Sequence, residues 1–210
     1  LGGGVLVDLR DFGLPHEPVV RESIEAGVDV VTFSGDKVLG GPQSGIVAGK
    51  KKYIDKIKHN PLMRALRCDK LTYVILENTL RLFLQPGRLQ QNHEVMRMLS
   101  EPADKLKLRA ENLLKEISPI ASKYTVEVVE SYASAGSGAL PLEKIPSFAL
   151  AIRVERNRID ALARQLRAAK PSVLGYAHKE ILFLDMRTVL PDSFEQLQNV
   201  LKAMLSRKLS

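Results

Sequence analysis

The chain has 210 residues, enough for one large hydrophobic core or two smaller ones. Its 31 lysines and arginines outnumber its 24 aspartates and glutamates, and the net charge of +7 fits an anionic partner such as RNA as well as an ordinary solvated basic surface. It contains no uncharged apolar run long enough to span a bilayer and no stretch with the composition of a secretory signal.

Two further features concern the setting and the extent of the chain. A single cysteine, Cys68, excludes an internal disulfide and fits a reducing, cytoplasmic setting. The sequence opens on Leu1 without an initiator methionine, and a strand-like apolar run follows almost at once. We therefore expect the chain to be part of a larger protein.

The first elements have the order of an α/β layer. Pro and Gly bracket the first helix, and a continuous β-branched and aromatic run predicts a strand that is buried on both faces. In chain order the predictions are a strand at 4–9, a helix at 18–26, the doubly buried strand at 28–33, a glycine-rich loop at 34–45 and a strand at 46–48.

Helical spacing dominates from residue 50, with breaks at Pro61 and Pro86. Beyond residue 117 the pattern changes to that of a small open sheet with helices on one face, a separate α+β domain. The predicted helices are 71–84, 89–100, 102–117, 158–169 and 193–205, and the predicted strands are 124–130, 148–154 and a hairpin of 173–176 with 181–186. We therefore place a first domain at 1–88 and a second at 89–210.

The first candidate site residues lie in the glycine-rich turn after the predicted buried strand. Ligands of α/β sheets bind just beyond the carboxyl ends of strands. Lys37, held there in partly dry surroundings, can present an uncharged amine to a carbonyl, and the hydroxyl of Ser34 can bind a phosphate. For a single lysine a solvated surface position is far commoner, and Asp36 can equally be a simple turn residue.

Arg64 and Arg67 form a second candidate site. If their segment is helical, their spacing of three residues places both guanidinium groups on one face, where they can grip a tetrahedral oxyanion. The alternative is a solvated basic face beside Pro61, and the spacing alone does not exclude it.

The turn and its surroundings resemble a known family. The string SGDKVLGGPQ at 34–43 closely resembles the cofactor-lysine segment of the bacterial selenocysteine synthases, the L-seryl-tRNA(Sec) selenium transferases. The similarity covers nearly the whole chain and is most specific up to about residue 84. Further matching strings are LVDL at 6–9, FGLPHEP at 12–18, AGVD at 26–29, GIVAGKK at 45–51, NPLMRALRCDKLT at 60–72 and LRLF at 80–83, with weaker ones, GSGALP at 136–141 and LFLDMRTV at 182–189.

The resemblance implies an α/β protein of the pyridoxal-phosphate-dependent transferase fold type I, which is aspartate aminotransferase-like. Residues 1–88 would end the large cofactor-binding domain, and residues 89–210 would form the small carboxy-terminal α+β domain with its connecting helix. The implied cofactor is pyridoxal 5'-phosphate, bound covalently by Lys37 and at its phosphate by Ser34.

The resemblance also implies the reaction and its residues. Lys37 and Asp36 would be catalytic, and Arg64 and Arg67 would receive selenophosphate. The reaction would convert seryl-tRNA(Sec) to selenocysteinyl-tRNA(Sec) through an aminoacrylate intermediate, in a cytoplasmic homo-oligomer built as a ring of dimers with no membrane association. The rest of the site would come from the part of the enzyme before Leu1, so we expect this chain alone to be inactive.

Two other functions stay open. One is a related fold type I lyase or transferase that acts on a small amino acid, against which the Arg64–Arg67 segment argues. The other is a non-catalytic basic module for RNA binding or assembly, against which the intact lysine turn argues.

Some polar residues remain without a firm assignment. Arg187 lies where related fold type I enzymes hold a substrate carboxylate, but a seryl ester has no free carboxylate, so a structural ion-paired arginine is favoured. The basic stretch at 153–170 can contact tRNA or form a solvated helix face. No metal site is predicted, because metal-ligand spacing is absent among Cys68 and the four histidines, His16, His59, His93 and His178.

Overall fold

The computed structural model describes residues 1–121, 123–135, 144–154 and 158–206, and the chain divides into two compact units. The first unit is formed by residues 1–100 with a short segment that begins at Ser134, and the second by Glu101–Ala133 with the chain from Lys144 onward. Within the described ranges, no helix has the length and apolar character needed to cross a membrane.

The first unit is built on an antiparallel hairpin. Strand β1 (Val30–Ser34) pairs with β2 (Gly45–Gly49), with Val30 opposite Gly49 and Ser34 opposite Gly45. Along β1 the side chains of Val31 and Phe33 are buried, whereas Thr32 between them is exposed. The prediction of a strand buried on both faces is therefore wrong, because one face of an antiparallel pair can remain in solvent.

The predicted strand at 4–9 is also wrong. The chain turns at Gly4, whose φ is +68°, and the Asp8 carboxylate accepts a hydrogen bond from the Arg10 backbone N–H to start a 3-10 turn at Leu9–Phe12. A Cβ on Gly4 would lie 2.5 Å from the Ser34 carbonyl oxygen, so only glycine allows this close approach to the end of β1. The apolar run reflects burial, which a short segment reaches without pairing.

The helices of the first unit follow the predicted order. Helix α4 (Lys70–Leu82) directs Leu76 onto a core cluster that includes Val31, Phe33 and Leu39, and Phe83, just after the helix, packs on the same cluster. The breaks at Pro61 and Pro86 are confirmed. The helices are α1 (Val20–Glu25), α2 (Lys51–Lys58), α3 (Leu62–Leu66), α4 (Lys70–Leu82), α5 (Leu89–Asn92) and α6 (Glu94–Ser100), with a 3-10 turn at Pro86–Arg88.

The second unit is a four-stranded antiparallel sheet with helices packed against it, and the strands follow the order Thr125–Ala133, Ile145–Arg153, Ile181–Asp185 and Tyr176–His178 across the sheet. Leu106, Leu113 and Ile117 of its first helix recur at helical spacing and are fully buried, and each such side chain contributes roughly 1.5–3 kcal/mol by burial. The elements are α7 (Ala103–Ile117), β3 (Thr125–Ala133), β4 (Ile145–Arg153), α8 (Ile159–Ala168), β5 (Tyr176–His178), β6 (Ile181–Asp185) and α9 (Phe194–Leu205).

Arg187 is a buried structural residue of this second unit, only 4% exposed. Its guanidinium donates hydrogen bonds to the carbonyl oxygens of Glu101, at 2.9 Å, and Pro146. Burial lowers the pKa of Arg187, and the nearby carboxylates of Asp185 and Glu101 oppose that effect. The side chain joins three segments of one unit, which supports the structural role over the binding of a substrate carboxylate.

Arg187→Met is expected to lower the free energy of unfolding of the second unit by about 3 kcal/mol, because the carbonyls of Glu101 and Pro146 lose the buried donor that joins them. The matched control is Arg153→Met, since the half-exposed Arg153 bonds Glu127 on the neighbouring strand and an exposed pair contributes less than about 1 kcal/mol. Urea unfolding of the full-length protein, monitored by hydrogen exchange in β4 and β6, measures the loss of unfolding free energy in both variants. Equal losses in the two variants would contradict the structural role.

Candidate functional site

The loop that joins β1 to β2 is held in a defined shape by its own backbone. The Gly35 N–H donates to the Ser44 carbonyl at 2.9 Å, and the Gly41 N–H donates to the Gly35 carbonyl at 2.7 Å. The Gly40 N–H donates to the Lys37 carbonyl at 2.8 Å and closes a four-residue turn. The glycine-rich stretch is therefore a folded loop in which the backbone position of Lys37 is fixed.

Lys37 lies between solvent and core. Asp36 before it is exposed, whereas Val38 and Leu39 after it are 3% and 0% exposed and anchor the turn. The Lys37 side chain itself is half-buried. The turn thus places Lys37 two residues before Leu39 of the hydrophobic cluster, and its side chain is only partly accessible to water.

The functional groups of Ser34, Asp36 and Lys37 share one property. Within the described part of the chain, none of the three side chains has a hydrogen bond or an ion pair. The contrast is Lys50, just beyond β2, whose amine lies 2.6 Å from the Asp29 carboxylate. The loop therefore presents a hydroxyl, a carboxylate and an amine that are all available to a ligand.

The arginine pair lies on the connection between α3 and α4. Arg64 is in the last turn of α3, but Arg67 follows the helix in an extended conformation, with ψ of 137°. The segment is therefore not helical throughout, so the condition for a shared helix face is not met. The Asp69 carboxylate accepts a hydrogen bond from the Thr72 N–H at 2.7 Å and caps α4, which requires a non-helical chain just before that helix.

Both guanidinium groups remain exposed. In the described ranges neither Arg64 nor Arg67 has a side-chain hydrogen bond or an ion pair. A surface cleft beside them is lined by Arg67, Cys68, Asp69, Lys70 and Tyr73. Two available guanidinium groups three residues apart suit a multivalent anion such as a phosphate.

Helix α4 connects the two clusters. It begins beside the arginines, and its Leu76 and Thr79 side chains lie against Gly41 of the loop. At about 1.5 Å per residue, Lys70 and Leu76 are separated by roughly 9 Å along the helix axis. Among the described residues, no hydrogen bond or ion pair joins the arginines to the loop, so the two clusters belong to one unit without direct contact.

The donor set of the loop fits a phosphate-bearing carbonyl compound. A half-buried, unengaged amine is the group that condenses with a carbonyl, and an adjacent unengaged hydroxyl can donate to a phosphate oxygen. Ser34 and Lys37 supply these two groups within four residues, on a loop whose backbone is fixed. These residues fit pyridoxal phosphate.

A group of potential metal ligands, Asp8, His16 and Glu22, lies near the start of the chain. The Arg10 guanidinium bonds both oxygens of Asp8, at 3.0 and 2.6 Å, and this lowers the pKa of Asp8 to about 2. The Glu22 carboxylate accepts from the Val19 N–H at 3.1 Å. The arrangement is therefore an ion-paired surface cluster.

The remaining polar predictions have mixed outcomes. In the basic stretch, Arg153 pairs with Glu127, whereas Arg164, Arg167 and Lys170 are exposed. Arg156 lies outside the described residues, and so does the string at 136–141. His93, one of the four histidines without metal-ligand spacing, is buried and hydrogen-bonded to the lysine turn, and its position in the sequence gave no sign of this contact.

Comparison with known proteins identifies the family. The sequence model of SelA, described as L-seryl-tRNA selenium transferase, matches residues 1–190. The chain belongs to this family. Membership confirms the resemblance inferred from the sequence and, with it, the predicted α/β class of fold type I.

Curated L-seryl-tRNA(Sec) selenium transferases are similar over almost the whole chain. The protein from Carboxydothermus hydrogenoformans is 42% identical over 202 residues, which are 96% of this chain and 43% of that protein. The one from Pasteurella multocida is 43% identical over 189 residues, 89% of this chain and 41% of that protein. The chain thus spans less than half the length of these relatives.

Among solved structures, an alanine–glyoxylate aminotransferase from Nostoc sp. aligns with 90% of this chain and 50% of its own, at 15% identity and a TM-score of 0.37.

Proposed function

We propose that the full-length protein is a pyridoxal-phosphate-dependent enzyme that converts seryl-tRNA(Sec) to selenocysteinyl-tRNA(Sec), with selenophosphate as the selenium donor. One observation carries the proposal. A chain of the selenium transferase family presents unengaged Ser34, Asp36 and Lys37 side chains on one folded loop. In this proposal residues 1–88 end the cofactor domain and residues 89–210 form the small domain.

The loop residues have distinct roles in this proposal. The Lys37 amine holds the cofactor covalently and, once released, accepts the α-proton of the seryl group at Nζ. The Ser34 hydroxyl donates a hydrogen bond to the cofactor phosphate, and the Asp36 carboxylate orients the reacting groups. When bound, pyridoxal phosphate supplies an electron sink for negative charge at the α-carbon.

Arg64 and Arg67 bind the selenium donor. Charge-assisted hydrogen bonds from guanidinium to phosphate oxygens are about twice as strong as neutral ones. Both groups are exposed and available, which supports this role.

The nucleic-acid substrate matches the charge of the chain. A net charge of +7 attracts a polyanion such as tRNA. We place the enzyme in the cytoplasm, where a charged tRNA is available.

The test is a turnover assay on the full-length protein with pyridoxal phosphate, selenophosphate and seryl-tRNA(Sec). Free serine and uncharged tRNA are the controls. Selenium incorporation that requires both the seryl ester and the cofactor would support the proposal. Turnover of free serine at the same rate would favour a small-molecule lyase or transferase, and tRNA binding without cofactor attachment would favour a non-catalytic module.

We further propose that the protein is a homo-oligomer, assembled as a ring of dimers. Helix α4 supports this because it carries two apolar faces: Leu76 and Phe83 pack inward, whereas Leu71, Val74 and Ile75 are 72%, 56% and 51% exposed. The exposed three recur at spacings of three and four residues and form one stripe. An apolar stripe of this kind favours burial against another copy.

Val74→Glu in the full-length protein is expected to raise the dissociation constant of the oligomer at least about tenfold, because a buried unpaired carboxylate opposes association. Multi-angle light scattering at graded concentrations measures the change. Gln91→Glu on α5 is the control, since it adds the same charge at an exposed polar position. An unchanged mass for Val74→Glu would show that another part of the protein covers this stripe.

A further inference from the structure

His93 is a buried histidine that contacts the lysine turn from a distant part of the chain. It lies between α5 and α6 and is 4% exposed. Its Nε2 is 2.9 Å from the Leu39 carbonyl oxygen, across 54 residues of sequence. The Phe83 ring packs edge-on against the imidazole, with ring centroids 5.2 Å apart. The contact is therefore dry and sterically defined.

The hydrogen bonds of the ring fix its tautomer. The Met96 backbone N–H, at 3.1 Å from Nδ1, can only donate, so Nδ1 carries no proton. The proton of the neutral ring is then on Nε2, which donates to the Leu39 carbonyl. One imidazole thus caps the first turn of α6 and bonds the loop at the same time.

The bonded carbonyl belongs to the turn that begins at Lys37. Leu39 is the third residue of that turn, and Gly40, the fourth, has a φ of +68°. A Cβ on Gly40 would lie 2.5 Å from Cε1 of His93, so the ring packs directly on the turn backbone. Any movement of the turn away from α6 breaks the Leu39 bond, and any movement toward it produces a clash.

We propose that His93 is a positioning residue that holds the Lys37–Gly40 turn against α6 and so fixes where the Lys37 amine is presented. This inference rests on the proposed role of Lys37 in binding the cofactor. Both hydrogen bonds of the His93 ring in the described residues go to backbone groups, and the ring acts on the lysine backbone through the carbonyl two residues later.

Two substitutions separate positioning of the turn from capping of the helix. His93→Asn keeps an oxygen near Nδ1 that can accept from the Met96 N–H, and Asn is a good helix cap, but its side chain is too short to reach Leu39. His93→Gln carries an N–H near the place of Nε2 and loses the cap. Each variant keeps one of the two bonds.

The experiment uses the full-length protein and two readouts. The first is hydrogen exchange of peptides covering residues 37–41 and 94–100, measured without cofactor. The second is the rate at which pyridoxal phosphate attaches to Lys37, stopped by borohydride at timed intervals and mapped on the peptide.

For His93→Asn we expect exchange at 37–41 to be about tenfold faster and attachment to Lys37 about tenfold slower, the effect of one lost buried hydrogen bond. Exchange at 94–100 should stay unchanged. His93→Gln should show the reverse: attachment near that of the unsubstituted protein, with faster exchange in α6.

Unchanged attachment and turn exchange in His93→Asn would overturn the proposal and leave His93 as a helix cap. If the Asn variant does not fold, the Gln variant decides: retained attachment supports the proposal, and a tenfold loss overturns it. Absence of label on Lys37 in the unsubstituted protein would contradict the proposed function alone. Exchange of the turn reports the His93 contact without any cofactor.

Discussion

Lys37→Ala in the full-length protein is expected to abolish the borohydride-stable attachment of pyridoxal phosphate and to lower turnover by at least about a thousandfold. The physical reason is that, in the proposed function, the Lys37 amine bonds the cofactor and later accepts the substrate proton. The measurement is mass mapping of the peptide that carries residue 37 after reduction, together with single-turnover rates. In the variant, the label on that peptide should disappear, and no other lysine should acquire it.

The control for this prediction is Lys50→Ala. Lys50 belongs to the same unit and follows the same hairpin, but its amine is bonded to the Asp29 carboxylate, which raises its pKa. A protonated, ion-paired amine does not attack a carbonyl, so we expect full attachment in this variant. Label on Lys50 instead of Lys37, or label that persists in Lys37→Ala, would contradict the assignment of Lys37 as the cofactor-binding lysine.

Local chemistry made most elements of the chain predictable. The helix at 18–26 is observed as Val20–Glu25, and the residue that ends it, Gly27, has a φ of +97°. The helices after Pro61 and Pro86 follow from the missing N–H and fixed φ of proline. In the second unit, Lys179 and Glu180 both adopt positive φ in the hairpin turn, a two-residue connection that favours tight pairing of β5 with β6.

The predictions that were wrong concern segments whose conformation depends on contacts with residues distant in sequence. The apolar run at 28–33 does not reveal whether one or both faces are covered, because that depends on which strand pairs with it. The run at 4–9 is buried by packing at Val5 and Leu9 without a ladder. An apolar pattern indicates that a residue is buried. Tertiary contacts decide whether its backbone forms a strand or a turn.

In the candidate site too, features that are local in sequence could be predicted, whereas contacts between distant residues could not. The loop residues Ser34, Asp36 and Lys37 could be proposed from the sequence because they lie close together in it and match a family string. Arg64 and Arg67 do not share a helix face because Asp69, two residues after Arg67, begins a new helix with its own cap. The contact of His93 with Leu39 joins residues 54 apart, and no local pattern encodes it.

Replacement of both Arg64 and Arg67 by glutamine is expected to lower kcat/KM for selenophosphate by roughly a hundredfold or more. Each guanidinium–phosphate hydrogen bond contributes about 1.5–3 kcal/mol, which is about tenfold to a hundredfold in affinity. Attachment of pyridoxal phosphate to Lys37 should not change, because no hydrogen bond or ion pair joins the arginines to the loop among the described residues. Initial rates at saturating seryl-tRNA(Sec) and graded selenophosphate measure the effect.

The control must remove the same charge, since the net charge of the protein also steers an anionic donor. Arg21 and Arg81 suit this purpose: each is exposed and paired with a glutamate one helical turn away, at 2.7 and 2.6 Å. Their double replacement by glutamine should change the rate less than about threefold, since exposed pairs of this kind contribute less than about 1 kcal/mol. An equal loss in both double variants would assign the effect to net charge, whereas a loss confined to Arg64 and Arg67 would place the selenium donor at the start of α4.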